Sequence, residues 1–220
     1  MTNTDTTTNT PTDSAVAIDP RRLYASATAT ARRLLLGVTA EDHHRPTPCD
    51  DMDVAALASH LLMVAERVTA LGNDTDPFAL PDTTPVPEAG WAAAWDEASA
   101  RAAAAWADDA TLDRPMFLPW AQGPGRELLL GYVAELTMHT WDLARALGVE
   151  VDWDADVVAA AWASYRETFP TADRTERFAA VRAIMPPEFR DNPPPFGNAV
   201  EIDDDAPLID RVAAWTGRQP

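Results

Sequence analysis

One stretch, AELTMHTWDLARALG from Ala134 to Gly148, carries Glu135, His139 and Asp142 at spacings of four and three. In a helix those spacings stack side chains on one face. Leu128, Tyr132, Leu136, Leu143 and Leu147 mark an apolar band, and Glu135 and His139 run through it. Ionisable groups on a buried face are costly unless they are paired or hold a metal. A second apolar stretch, VAALASHLLMVAERVTALG, sets His60 at the edge of a stripe of Leu57, Leu61, Val64 and Val68. Metal sites in helical bundles are built from Glu and His on facing helices. Two histidines and one carboxylate suit zinc with a fourth position open for chemistry, and they also suit ferrous iron. Each motif alone has a plainer reading, because i, i+4 pairs decorate solvated helices and partly buried histidines are common. Asp142 either orients His139 or pairs with Arg145 or another arginine.

The elements that must position these residues are helices punctuated by proline. Asp19-Pro20 opens a first helix that runs to about Val38. Pro46 and Pro48 forbid helix in the loop that follows, and Asp50, Asp51 or Asp53 caps the helix that carries His60 and stops at Gly72. A third helix is expected over EAGWAAAWDEASARAAAAWADD, residues 88–109. The stretch DRPMFLPWAQGPGRE reads as an irregular loop or a short hairpin. The motif helix starts near Arg126 and ends at Gly148, and a fifth helix stops at Pro170. A short helix around TERFAAVRAIM, a proline loop, one short strand and a last helix near Pro207–Trp215 complete the chain. The sum is an all-α fold, a four-helix bundle over residues 18–150 with a C-terminal helical extension over 151–220 packed on it. Residues 1–17, a Thr/Asn/Asp tail, are expected to be disordered.

Composition narrows the function. The chain has 220 residues and a net charge of −18, and all 17 basic residues are arginine. That balance argues against a nucleic-acid or anionic-membrane partner. No window approaches 18 uninterrupted apolar residues, so no membrane span is expected. Cys49 is the single cysteine, which fits a reduced cytoplasmic setting. Neighbouring aspartates raise its pKa, so a nucleophilic role is not expected.

The segment TPCDDMDVAALASHL resembles a signature of the mycothiol-dependent maleylpyruvate isomerase family, of the DinB-like superfamily of metal-binding four-helix bundles. ELTMHTWDLARALG resembles the second signature, and FGNAVEIDDDAPLIDRVAAWTGRQP the ending of a short actinobacterial branch. The resemblance spans roughly residues 19–220, with Met52 where the family usually has Trp and a short extension in place of the isomerase's α/β domain. It implies a DinB-like bundle, a metal site of His60, Glu135 and His139, and zinc as the ion. It also implies mycothiol as the thiol co-substrate, activated for attack on an electrophilic small molecule in an S-transfer or isomerisation.

Three further residues are candidates for substrate binding. Arg126 is suited to a carboxylate, and Trp120 and Gln122 lie in the loop that could cover the open coordination position. Trp91, Trp95, Trp106, Trp141 and Trp162 are expected in the core. The competing function classes are a non-catalytic metal-binding protein and a metal-free helical interaction module. Homodimerisation is compatible with a bundle of this kind.

Overall fold

The computed structural model describes residues 18–49, 51–81, 83–184 and 196–220. The expected disordered tail at 1–17, Asp50 as a cap and part of the expected proline loop lie outside the described residues.

Helix starts follow local chemistry. α1 (Pro20–Leu35) begins where the Asp19 carboxylate accepts from the Arg21 N–H and Pro20 occupies the first turn. α2 (Val54–Gly72) is capped by Asp53, which accepts from the Ala56 N–H at 2.9 Å. α3 (Trp91–Ala105) starts three residues later than expected, because Gly90 has φ +86° and cannot continue a helix backwards. The expected third helix also ends earlier. A separate short α4 (Asp109–Asp113), capped by Asp108, follows and is too short to show a periodicity.

The proline-rich stretch is a hairpin, β1 (Pro115–Leu118) paired antiparallel with β2 (Ala121–Pro124), with Phe117 opposite Gln122. α5 (Gly125–Leu147) carries the motif and ends at Gly148, whose φ of +69° forms the left-handed cap. α6 (Ala155–Thr168), α7 (Arg174–Ile184) and α8 (Leu208–Trp215) follow. No strand occurs among the described residues of the C-terminal part, where one was expected.

α1, α2, α3 and α5 pack in a ring, α5 against α1 and α2, and α3 against the same two. This is the all-α, DinB-like architecture. The core runs through Leu23, Leu34, Leu57, Leu61, Trp95, Leu136 and Leu143. α2 is long and apolar enough to cross a membrane by composition. Its Leu57, Leu61, Val64 and Val68 are instead wholly buried against the other helices, as in a core helix. A second cluster joins the far face of α5 to α6 and α8 through Met138, Trp141, Tyr165 and Val212. Trp162, expected in the core, is half-buried and packs edge-on against Trp215 at 5.8 Å.

Candidate metal centre

α2 and α5 lie side by side, and their packing brings His60, Glu135 and His139 together. One ligand atom from each lies within 4.8 Å of the others. His60 Nε2 is 3.5 Å from Glu135 Oε1, and the two imidazole rings meet edge to face at 4.7 Å between centroids. The Nε2 atom of His60 is buried and has no hydrogen-bond partner among the described residues. Buried polar atoms in folded proteins are nearly always satisfied, so an orphan aimed at a carboxylate and a second imidazole calls for a partner. Tetrahedral zinc with bonds of 2.0–2.1 Å holds its ligand atoms about 3.3 Å apart. The donor set, two imidazoles and a carboxylate, and the 3.5 Å separation both fit such an ion. Glu135 keeps 28% of its side chain exposed, so the cluster opens to solvent on one side.

Electrostatics shift two of the three groups, His139 and Glu135. Burial lowers the pKa of His139, against the pull of Asp142 in the other direction, so its ring is neutral near pH 7 and has a lone pair to offer. Burial works against ionisation of Glu135. The neighbouring His60, with help from His139 and Arg67, outweighs it and holds the carboxyl below its ordinary range. The hydroxyls of Tyr24 and Tyr132, buried and without a hydrogen-bond partner among the described residues, stay neutral. Their pKa values are pushed up by burial first and by the Glu135 charge second.

Asp142 makes both kinds of contact that the sequence leaves open, to His139 and to an arginine. Its Oδ2 lies 3.1 Å from His139 Nδ1, which leaves Nε2 of that ring for a ligand. It also accepts two hydrogen bonds from Arg218, from Nε at 2.8 Å and Nη2 at 2.7 Å, so the arginine partner is Arg218 and not Arg145. The Arg145 guanidinium lies over the Trp141 ring. Burial alone would raise the Asp142 pKa; Arg218 and His139 together hold it below the usual carboxylate range.

The substrate-binding candidates sit elsewhere on the hairpin side. Arg126 ion-pairs with Asp113 at the surface. Trp120, in the hairpin turn, packs edge-on against Phe78 at 5.6 Å, and the Arg67 guanidinium lies over the Phe78 ring, 5.3 Å from its centroid. Gln122 is exposed on β2. Two residues near the site were not foreseen. Arg218 is one. The other is Cys49, whose Sγ lies within 4.8 Å of ligand atoms of both His139 and Asp142. The loop that delivers Cys49 is fixed by Thr47, whose hydroxyl donates to the Met52 carbonyl at 2.8 Å and accepts from the Cys49 N–H at 3.1 Å. Local sequence held no sign of Arg218, since its partner is 76 positions away.

The shifts at the cluster predict an acid-sensitive apo protein. His139 has a folded pKa below the ordinary 6.5, so between those two values the unfolded chain binds more protons than the folded one. Stability therefore falls as pH drops below about 6.5, and Glu135 and Asp142, also lowered, add loss of the same sign at still lower pH. Thermal melts of metal-free protein should show a falling Tm from about pH 7.5 to about pH 5.5. A flat or rising Tm across that window would contradict the shift at His139.

Residues 24–144 match the family described as mycothiol maleylpyruvate isomerase N-terminal domain, a span that contains His60, Glu135, His139 and Asp142. The uncharacterized proteins Rv0738 and MT0763, from two strains of Mycobacterium tuberculosis, are each 28% identical to this chain over 202 residues. The aligned region covers 91% of this chain and 98% of each relative. No solved structure matches the chain.

Proposed function

Because the chain belongs to the mycothiol maleylpyruvate isomerase N-terminal domain family, we propose that it is a metal-dependent thiol enzyme. It holds a divalent ion, zinc first, on His60, Glu135 and His139. It uses a low-molecular-weight thiol such as mycothiol on an electrophilic small molecule, in an S-transfer or an isomerisation. The observation that carries the reading is the buried Nε2 of His60, which has no hydrogen-bond partner among the described residues and lies 3.5 Å from Glu135 Oε1, beside the His139 ring.

An ion held there supplies Lewis acidity that favours the thiolate form of a bound thiol, which is the nucleophilic form. The chain's own residues do the rest. Asp142 orients the His139 ring through Nδ1. Neutral His139 and ionised Glu135 present lone pairs without first losing a proton. The partly exposed Glu135 leaves the cluster open to solvent on one side. Trp120, Gln122 and Arg126 are the residues through which the hairpin side contacts substrate. The net charge of −18 suits small-molecule partners rather than nucleic acid or an anionic membrane surface. The reading sets the reaction in the cytoplasm, with residues 18–150 as the metal-binding bundle and 151–220 as its extension.

The test is a conjugation assay. Zinc-loaded protein, mycothiol and an α,β-unsaturated electrophile should yield an S-conjugate at a rate well above the thiol alone. His139→Ala should reduce that rate to background. Equal turnover in the variant, or none in the wild type across a panel of electrophiles and thiols, would sink the enzymatic reading.

A further inference from the structure

The last turn of the chain is built to carry an arginine back into the protein. α8 ends at Trp215, and the Thr216 hydroxyl donates to the Ala213 carbonyl at 2.9 Å beside the Met138 sulfur. Gly217 then adopts φ +91°, and a Cβ there would meet the Gly197 Cα at 2.8 Å. Only glycine fits that close, left-handed turn. The turn delivers Arg218, the third residue from the end of the sequence, to a position 5% exposed. There its guanidinium forks onto Asp142, which is 0% exposed.

The same Asp142 oxygen that receives Arg218 Nη2 also receives His139 Nδ1. The chain end is thus one carboxylate away from a residue of the metal cluster. A buried carboxylate keeps a fixed position only while its charge is compensated. Without the guanidinium, Asp142 turns towards whatever donors or water it can reach, and the Nδ1–H of His139 loses its fixed acceptor. The proton then distributes over both ring nitrogens, and Nε2 is no longer reserved as the free lone pair.

We propose that Arg218 is a positioning residue of the metal cluster. Acting through Asp142, it fixes the His139 tautomer and makes metal affinity depend on the docked C-terminal turn. Arg218 lies beyond the span of the family match, which ends at residue 144, so the C-terminal extension completes a site built on the bundle. The affinity part of this inference rests on the proposed metal role of His139; the tautomer part does not.

The experiment reads both parts separately. Nitrogen-15 NMR of the imidazoles in metal-free, full-length protein should show wild-type His139 protonated at Nδ1 alone. In Arg218→Met the two tautomers should mix. Zinc affinity by chelator competition should fall 10- to 100-fold, the usual loss when the orienting partner of a ligand histidine is disturbed. Arg218→Lys keeps the charge without the fork and should fall between the two. Trp215→Phe, which removes the indole hydrogen bond to the Tyr165 carbonyl, should lower thermal stability with Arg218 still seated on Asp142, and leave the tautomer and the affinity unchanged. A wild-type tautomer and a zinc affinity within twofold in Arg218→Met would overturn the inference. Should that variant not fold, Arg218→Lys with an unmixed tautomer and wild-type affinity overturns it equally. Wild-type protein that binds no zinc removes the proposed function, while the tautomer comparison still decides the role of Arg218.

Discussion

Substituting His139 by alanine is expected to take the protein from about one divalent ion per chain to none, the stoichiometry a three-ligand site requires. The expectation rests on how few ligands there are. His60 and Glu135 alone would leave an ion with two protein donors, and among the described residues no fourth ligand is grouped with these three. Asp142 cannot move in, because both its oxygens are engaged by Arg218 and one also by His139. Cys49 lies on the Asp142 side of His139, grouped with those two residues and not with His60 and Glu135. His60→Ala should therefore abolish binding as fully as His139→Ala. His44→Ala is the control, since that side chain is 93% exposed and pairs, among the described residues, with Asp53. Elemental analysis after zinc reconstitution and desalting decides the matter. One ion retained in His139→Ala, or lost in His44→Ala, would place the metal elsewhere and remove the cluster from the mechanism.

What was legible in the sequence shares one property: its cause is local. The N-caps at Asp19 and Asp53 and the C-cap at Gly148 are set by residues within one turn of the helix end, and they were found where composition pointed. The inward face of α5 was readable because Glu135 and His139 repeat at helical spacing among leucines, and His60 because its stripe is equally regular. Asp142 admits two readings from the sequence because each describes half of its hydrogen bonding. Its arginine comes from a turn 76 positions later, and no periodicity links them. The start of α3 and the separate α4 were missed for the opposite reason. Gly90 and Asp108 act on single residues inside a run of alanines that looks helical throughout. The hairpin was one of two readings for its stretch, but its direction was not. The seating of Trp120 on Phe78 depends on the loop after α2, whose path is set by tertiary contacts.

The largest loss of stability is expected from Trp106→Ala, at the opposite end of the helices from the proposed site. Trp106 closes α3 and is 2% exposed. Its indole N–H donates to the Val68 carbonyl at 2.8 Å, which ties α3 to α2. Two glycines leave room for the ring. A Cβ on Gly72 would lie 2.7 Å from the indole nitrogen, and one on Gly125 would lie 3.1 Å from Cζ3 and 2.3 Å from the Thr111 carbonyl. The ring is thus a wedge between the end of α2 and the start of α5. Removing it opens a cavity bounded by backbone, which cannot collapse freely, so the cost should reach about 3–5 kcal/mol. For a chain of this size that is a fall in Tm of about 6–20 °C. His60 precedes Gly72 by 12 residues and His139 follows Gly125 by 14, which at 1.5 Å per residue puts the cluster about 18–21 Å away along the helices. Zinc stoichiometry in Trp106→Ala should therefore match the wild type well below its Tm. Gly125→Ala should destabilise in the same direction by pressing a methyl group onto a carbonyl that cannot yield. A loss under about 1 kcal/mol in Trp106→Ala would mean the wedge is dispensable. Loss of zinc from a folded Trp106→Ala would mean that the two ends of the bundle are coupled and that the site depends on the packing of α2 against α3.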